Sequence, residues 1–204
     1  MLEFPGGVYA ITPETADTES LLTQVEAALL GGVAAVQYRD KSGDVARRHE
    51  QASELVALCR RFKVPLIIND DLRLADLTDA DGVHLGRDDG SLREARIILG
   101  RDRFVGASCY QSLDLAEAAQ AAGADYVAFG SFFASPTKPA APRAGLDLLC
   151  EAAPRIHVPL VAIGGITLAN APSLLDAGAD SLAVLSALFD APDIRAAALA
   201  LNQL

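Results

Sequence analysis

The residues Gln37-Tyr38-Arg39-Asp40-Lys41 set an amide and two cations at alternate positions directly after a short apolar run. In an extended chain, alternate side chains point the same way, so Gln37, Arg39 and Lys41 can converge. A guanidinium and an ammonium placed together suit a phosphate or diphosphate, the first by paired hydrogen bonds and the second as a point charge. The same residues could instead form a solvated loop paired with Asp40 and Asp44. Ile67-Ile68-Asn69-Asp70-Asp71 then brings a carboxylate pair to the end of another apolar run, and Gly86-Arg87-Asp88-Asp89 brings a second pair one run later. Neighbouring strands lie about 4.8 Å apart, so one Asp from each pair can reach a common hard cation. Magnesium favours one or two carboxylates completed by substrate phosphate oxygens and water. Asp is also a frequent helix cap, and two of the four carboxylates are expected to cap or to face solvent.

Ala134-Ser135-Pro136-Thr137-Lys138-Pro139 is a long polar loop in an otherwise terse chain. Its hydroxyls can take an anion or a carboxylate and Lys138 can reach a phosphate, although two prolines could equally impose a plain surface turn. Ala162-Ile163-Gly164-Gly165-Ile166-Thr167, with Val184-Leu185-Ser186-Ala187, has the form of a backbone phosphate cradle, in which glycines let N–H groups approach the ligand. A tight turn that needs glycine for its own sake is the alternative. Two phosphate pockets follow from the functional reading, one cationic and metal-assisted, the other lined by backbone. Ser108 follows a fifth apolar run. His84 reads as a hydrogen-bonded wall residue, and His49 and His157 as surface. No HExxH, GxSxG or CxxC pattern occurs, so zinc hydrolysis and a serine triad have no support.

Those residues need a scaffold that gathers them. Strand candidates begin near Val8, Ala35, Pro65, Gly82, Phe104, Tyr126, Pro159 and Ser181. Between them run helical stripes, such as Leu21, Leu22, Val25, Ala28 and Leu29, or Val45, Ala52, Leu55, Val56, Cys59 and Phe62. Gly31, Gly100, Gly123 and Gly178 punctuate the helix exits, where a left-handed cap is expected. Ala122-Gly123-Ala124-Asp125 and Ala177-Gly178-Ala179-Asp180 each precede an apolar run, a weak internal repeat. The runs are apolar on both faces, as in a parallel wall, and the segment between the third and fourth leaves room only for a brief helix. An open doubly wound sheet would gather its site at one switch point. Here polar residues mark the carboxyl ends of seven consecutive runs, which predicts a single (β/α)8 TIM barrel over residues 1–204 with its site on that rim.

Composition agrees. The 204 residues are 51% hydrophobic, enough for one substantial core. A formal net charge of −10 argues against nucleic-acid or anionic-membrane partners and leaves small-molecule substrates. Three scattered cysteines suggest neither disulfides nor a zinc knuckle. With no signal peptide or membrane span evident, a cytoplasmic setting is expected.

Taken together, Gln37-x-Arg39-x-Lys41, Asn69-Asp70-Asp71, Gly86-x-x-Asp89, Gly106-x-Ser108, Ser135-x-Thr137-Lys138, Gly164-Gly165-Ile166 and Ser186 resemble the thiamine-phosphate synthase family over nearly the whole chain. The resemblance implies a transferase of thiamine biosynthesis. It joins 4-amino-5-hydroxymethyl-2-methylpyrimidine diphosphate to a carboxylated thiazole phosphate and releases diphosphate and CO2 with Mg2+. It implies Asp70 and Asp89 as metal ligands, and Arg39, Lys41, Asn69 and Lys138 around the diphosphate. The cations Arg39, Lys41 and Lys138 are then the catalytic groups. Gln37 and Ser108 fall near the pyrimidine, Ser135 and Thr137 at the thiazole carboxylate, and Gly165, Leu185 and Ser186 at its phosphate. The implied mechanism is dissociative and needs no protein nucleophile. Arg87 stands where the family often has Gln, and Ala134 where Pro is common; both bear on fine substrate positioning. Thiazole tautomerase-type relatives tend to lose the second-strand cations and one Asp of the metal pair, and both are present here. A ligand-sensing barrel would bind without turnover.

Overall fold

A computed structural model describes residues 3–135 and 142–204. Eight parallel strands hydrogen-bond in sequence order and close on themselves: β1 Gly7–Ile11, β2 Ala35–Tyr38, β3 Leu66–Asn69, β4 Gly82–Leu85, β5 Phe104–Tyr110, β6 Tyr126–Gly130, β7 Leu160–Ile163 and β8 Ser181–Val184. Each begins within one residue of its expected start. The ring shuts where β1 pairs with β8, Val8 opposite Leu182. Around it lie α1 Thr18–Leu30, α2 Val45–Phe62, α3 Leu72–Leu77, α4 Leu92–Leu99, α5 Leu113–Ala121, α6 Asp147–Ala152, α7 Ala171–Asp176, α8 Ser186–Phe189 and α9 Ile194–Asn202. The chain therefore forms the (β/α)8 barrel, and α3 is the brief helix that the short β3–β4 segment requires.

The apolar residues divide into two cores because each strand is buried on both faces. Val8, Ala10, Val36, Leu66 and Ile68 face outward and meet helix residues such as Leu21, Val25, Leu55 and Cys59. Tyr9, Ile11, Ile67, Phe104, Tyr126 and Val161 face inward, and Phe4 caps them from below. Its ring stacks on Tyr126 with centroids 3.9 Å apart and meets Tyr9 and Phe104 edge-on. The barrel interior is thus filled by side chains at its amino-terminal end.

Two expectations are corrected. Val45 is 75% exposed at the start of α2, where the stripe has not yet turned inward; Ala52, Leu55, Val56 and Cys59 are buried as expected and Phe62 partly so. Gly31 is not left-handed: its φ is −84°, and Gly32 carries the positive φ of 86°. Glycine is needed at 31 for space instead, since a Cβ there would lie 2.4 Å from that of Ala198 and 2.6 Å from the Arg195 carbonyl oxygen of α9. Gly100, Gly123 and Gly178 do have positive φ. Among the described residues no helix is long and apolar enough to cross a membrane.

Candidate active site

Short strands and tight βα turns place the polar residues on the rim at the carboxyl ends. At the end of β3 the chain makes an unusual turn: Asp70 has φ of 65°, while its N–H donates to the His84 carbonyl at 2.8 Å. Asp and Asn are among the few non-glycine residues that tolerate this conformation. The turn aims the carboxylate across to the β4 loop, within hydrogen-bonding reach of Asp89. Asp89 is anchored in turn, its Oδ2 accepting from the Gly86 N–H at 2.9 Å. Lys41 completes the group, with Nζ 3.0 Å from Asp70 Oδ2. Residues widely separated in sequence therefore meet on adjacent loops.

The two carboxyls titrate as a pair. Burial pushes Asp70 up, but hydrogen bonds accepted from Lys41 and from the Asp89 carboxyl outweigh it and hold the group below the ordinary carboxylate range. Asp89 is raised, first by burial and then by its hydrogen bond and charge contact with Asp70. Below its raised pKa, Asp89 is the partner that carries the proton the two carboxyls share. A divalent cation would take that proton's place, and the donor set is all oxygen. Among the described residues no cluster of three or more His, Cys, Asp or Glu could hold a metal alone. Two carboxylates without a protein cage fit a hard cation that shares its coordination with a phosphorylated ligand.

The other two carboxylates have structural or solvent roles. Asp71 caps α3 by accepting from the Leu74 N–H at 2.8 Å, and it pairs with Arg48 at 2.8 Å. Asp88 is exposed. The pairings considered for the second strand also differ: Asp40 binds Arg47 at 3.1 Å, and Asp44 caps α2. Arg39, half-buried, is fixed through its backbone N–H to the buried Thr12 hydroxyl at 3.0 Å. Its guanidinium has no carboxylate partner among the described residues. Asn69 ends β3 beside His84 of β4.

Across the rim, the loop after β6 lies against the loop after β7. Phe132 and Phe133 donate to the carbonyls of Ile163 and Gly164 at 3.1 and 2.9 Å. This places Ser135 close to the glycine turn. Gly165 has φ of 63°, and a Cβ there would lie 2.3 Å from the Ala134 carbonyl oxygen, so only glycine fits. The turn is held by Asn170, which donates to the Gly165 carbonyl at 3.0 Å and accepts from the Thr167 N–H at 2.8 Å. Ser186 opens α8 directly after Leu185. Thr137 and Lys138 lie outside the described residues.

Beneath the rim lies a buried polar chain in which Tyr9 and Tyr126, inconspicuous in the sequence, link Gln37, His84 and Ser108. Gln37 Nε2 donates to the Tyr9 hydroxyl at 2.8 Å, and Tyr9 meets the Tyr126 hydroxyl at 2.9 Å. Tyr126 meets His84 Nδ1 at 3.1 Å, and His84 Nε2 meets Ser108 Oγ at 2.9 Å. His84 is thus the bonded wall residue expected, and burial pushes its pKa down to about 4. One sequence signal pointed here: Gly106 leaves room for Tyr126, whose ring would lie 2.1 Å from a Cβ at that position. Thr12 and Asn170 gave no comparable signal. Arg87, a departure from the family pattern, stacks over Tyr110 at 5.2 Å and donates its backbone N–H to that hydroxyl.

A shallow concavity of about 430 Å3 lies at the opposite, amino-terminal end, lined by residues including Glu3, Arg60, Lys63 and Phe104. It contains none of the rim residues, and the arrangement of charge, not depth of hollow, marks the site.

Comparison with known proteins bears on the family and the fold. A family model described as thiamine monophosphate synthase matches residues 8–188. A thiamine-phosphate synthase of Thiobacillus denitrificans is 78% identical over 204 residues, covering 100% of this chain and 97% of its own. That of Methylobacillus flagellatus is 54% identical over 97% of this chain and 94% of its own. A solved thiamine phosphate pyrophosphorylase from Pyrococcus furiosus superposes with a TM-score of 0.86 at 34% identity, covering 97% of this chain and 94% of that one.

Proposed function

The chain belongs to the thiamine monophosphate synthase family and is a transferase of thiamine biosynthesis, and on that premise we propose how its own residues carry the reaction. The substrates are 4-amino-5-hydroxymethyl-2-methylpyrimidine diphosphate and a carboxylated thiazole phosphate. The C–O bond to diphosphate breaks first, leaving a pyrimidine-stabilised carbocation. The thiazole nitrogen then supplies the electron pair for the new C–N bond, and the carboxylate leaves as CO2, its bonding pair passing into the positively charged ring, where a proton from solvent takes the vacated valence.

The observation that carries this reading is the meeting of Asp70, Asp89 and Lys41 on adjacent loops. Asp70 and Asp89 are the groups that would hold Mg2+, which when bound would offset the negative charge of the diphosphate. Arg39, Lys41, Asn69 and Lys138 hold the diphosphate oxygens as the charge on them grows, and removing one such contact costs about 10²–10³ in kcat. Gln37 and Ser108 orient the pyrimidine. Ser135 and Thr137 take the thiazole carboxylate, and Gly165, Leu185 and Ser186 its phosphate, which aligns the nitrogen with the reacting carbon. No protein nucleophile is required. The buried Cys59 and Cys109 thiols, pushed up to about 12 by burial, offer none. Small molecules are the partners and the cytoplasm is the setting.

The test is a thiamine phosphate assay with both substrates, with and without Mg2+. Product only with the metal supports the proposal. Binding of both substrates without turnover in its presence would mark a sensing barrel instead.

A further inference from the structure

The buried chain beneath the rim has a direction. An amide nitrogen can only donate, so Gln37 Nε2 gives a hydrogen to Tyr9. A phenol has one hydrogen, and Tyr9, already accepting, has Tyr126 as the neighbour for its own at 2.9 Å. Tyr126 accepts there and therefore donates to His84 Nδ1 at 3.1 Å. That nitrogen must be bare, so the ring hydrogen lies on Nε2, directed at Ser108 Oγ at 2.9 Å. Tyr9, Gln37, Tyr126 and His84 are all buried, where a hydroxyl hydrogen without an acceptor is costly. An imidazolium would create that fault by removing the acceptor from Tyr126.

We propose that this chain fixes the hydrogen-bonding sense of the two groups at its ends: Gln37 presents its Oε1 as an acceptor and Ser108 its hydroxyl as a donor. Gln37 Oε1 has no partner among the described residues, and the Ser108 hydrogen is released because Oγ already accepts from His84. Turning the Gln37 amide over would reverse every link, so the sense is set for the chain as a unit. A flat heterocycle across the barrel mouth then meets an acceptor from β2 and a donor from β5. An aminopyrimidine satisfies both, its exocyclic amine giving a hydrogen and a ring nitrogen taking one. An oxo-pyrimidine with a ring N–H has the opposite pattern. The assignment of this ligand rests on the proposed function above. Tyr9, Tyr126 and His84 act here as positioning residues.

Two measurements test it. The first is 15N NMR of the histidine rings in the substrate-free protein, with the His84→Gln variant identifying the signal. The Nε2–H tautomer is expected, and the Nδ1–H tautomer or an imidazolium at neutral pH would overturn the proposal. This result does not depend on which reaction the protein catalyses, so it can fail while the assay for thiamine phosphate succeeds, and the reverse. The second is a double-mutant cycle on kcat/KM for the pyrimidine diphosphate. Tyr126→Phe keeps the ring and should lower kcat/KM by about tenfold alone, but by less than about twofold when Ser108 is already Ala, as coupled residues behave. Equal losses in both backgrounds would show that Tyr126 acts only on packing and would sink the relay.

Discussion

Asp70 is the residue on which the rim turns. Its positive φ is what swings a carboxylate from the end of β3 toward the β4 loop. Asn tolerates that conformation as well as Asp does, so Asp70→Asn removes the charge without disturbing the turn. Turnover should fall about 10²–10³-fold with the melting temperature within ~2 °C of wild type, and Lys138→Ala should behave alike in the same assay. Wild-type rates in both variants would overturn the placement of the diphosphate site.

Asp89 predicts something less usual. Its pKa is raised in the folded protein, so the stability it contributes is present below the ordinary carboxylate range and lost as pH rises through the raised value. At neutral pH, without metal, two facing carboxyls are a liability. Asp89→Asn should therefore melt about 2 °C higher than wild type in EDTA near pH 7, a small shift because the group is partly exposed, while losing turnover. The advantage should vanish near pH 3, where both proteins are neutral at this position. A lower melting point for the variant at pH 7 would show that the carboxyls do not repel. The residue types of this pair could be read from the chain because Asp after an apolar run is unusual chemistry. That two of the four would cap or face solvent is also an expectation of the sequence, and the resemblance names Asp70 and Asp89 as the pair; that Asp71 is the cap and Asp88 the exposed group depends on a single backbone angle and on Arg48.

At the scale of elements, the weak repeat proves to be a clamp. Asp81, Asp125 and Asp180 each precede an even-numbered strand, and each carboxylate accepts the N–H at the start of the preceding odd-numbered strand, from Leu66, Val105 and Leu160 at 2.9, 2.7 and 2.7 Å. The motif at 125 and 180 was visible in the sequence, and its purpose was not. Asp81 lacks the same lead-in and shares only the geometry. These carboxylates sit at the end of the barrel remote from the rim. Asp180→Ala leaves the Leu160 N–H unpaired and should cost about 1–3 kcal/mol, with kcat and KM unchanged at 25 °C. Denaturant titration reads the first, and a loss of activity exceeding the loss of folded protein would contradict the separation of the two ends.

Strand positions were legible for a related reason. A parallel barrel buries both faces of every strand, so each appears as an uninterrupted apolar run between glycines and prolines. Helix faces were legible where the stripe was complete, as in α1. They misled where a single residue, Val45, precedes the first buried turn. Glycine at a helix exit predicts a left-handed cap at Gly31; Gly31 does cap α1, but in a right-handed conformation, and the demand for space comes from α9, more than 160 residues later, and leaves no local trace.

At the scale of the whole molecule, closure decides what meets. Tyr9 and Tyr126 stand 117 positions apart and touch only because β1 and β6 line the same lumen. Tyrosine in an apolar run looks like ordinary core, which is why Tyr9 and Tyr126 stay hidden while His84 and the two ends, Gln37 and Ser108, do not. The net charge of −10 is likewise a property of the whole, and it does not reveal that Lys41 meets Asp70 on one rim.

The aromatic floor built from Phe4, Tyr9, Tyr126 and Phe104 makes the barrel a cul-de-sac. Whatever goes in comes out through the same doorway, and traffic must queue. Gln37 and Ser108, tied to the floor, lie at the back, while the glycine turn and α8 stand by the entrance. The pyrimidine component should therefore board before the thiazole component. An unreactive mimic of the latter should inhibit uncompetitively against the former in initial-rate measurements, whereas competitive inhibition would mean that the two contend for one berth.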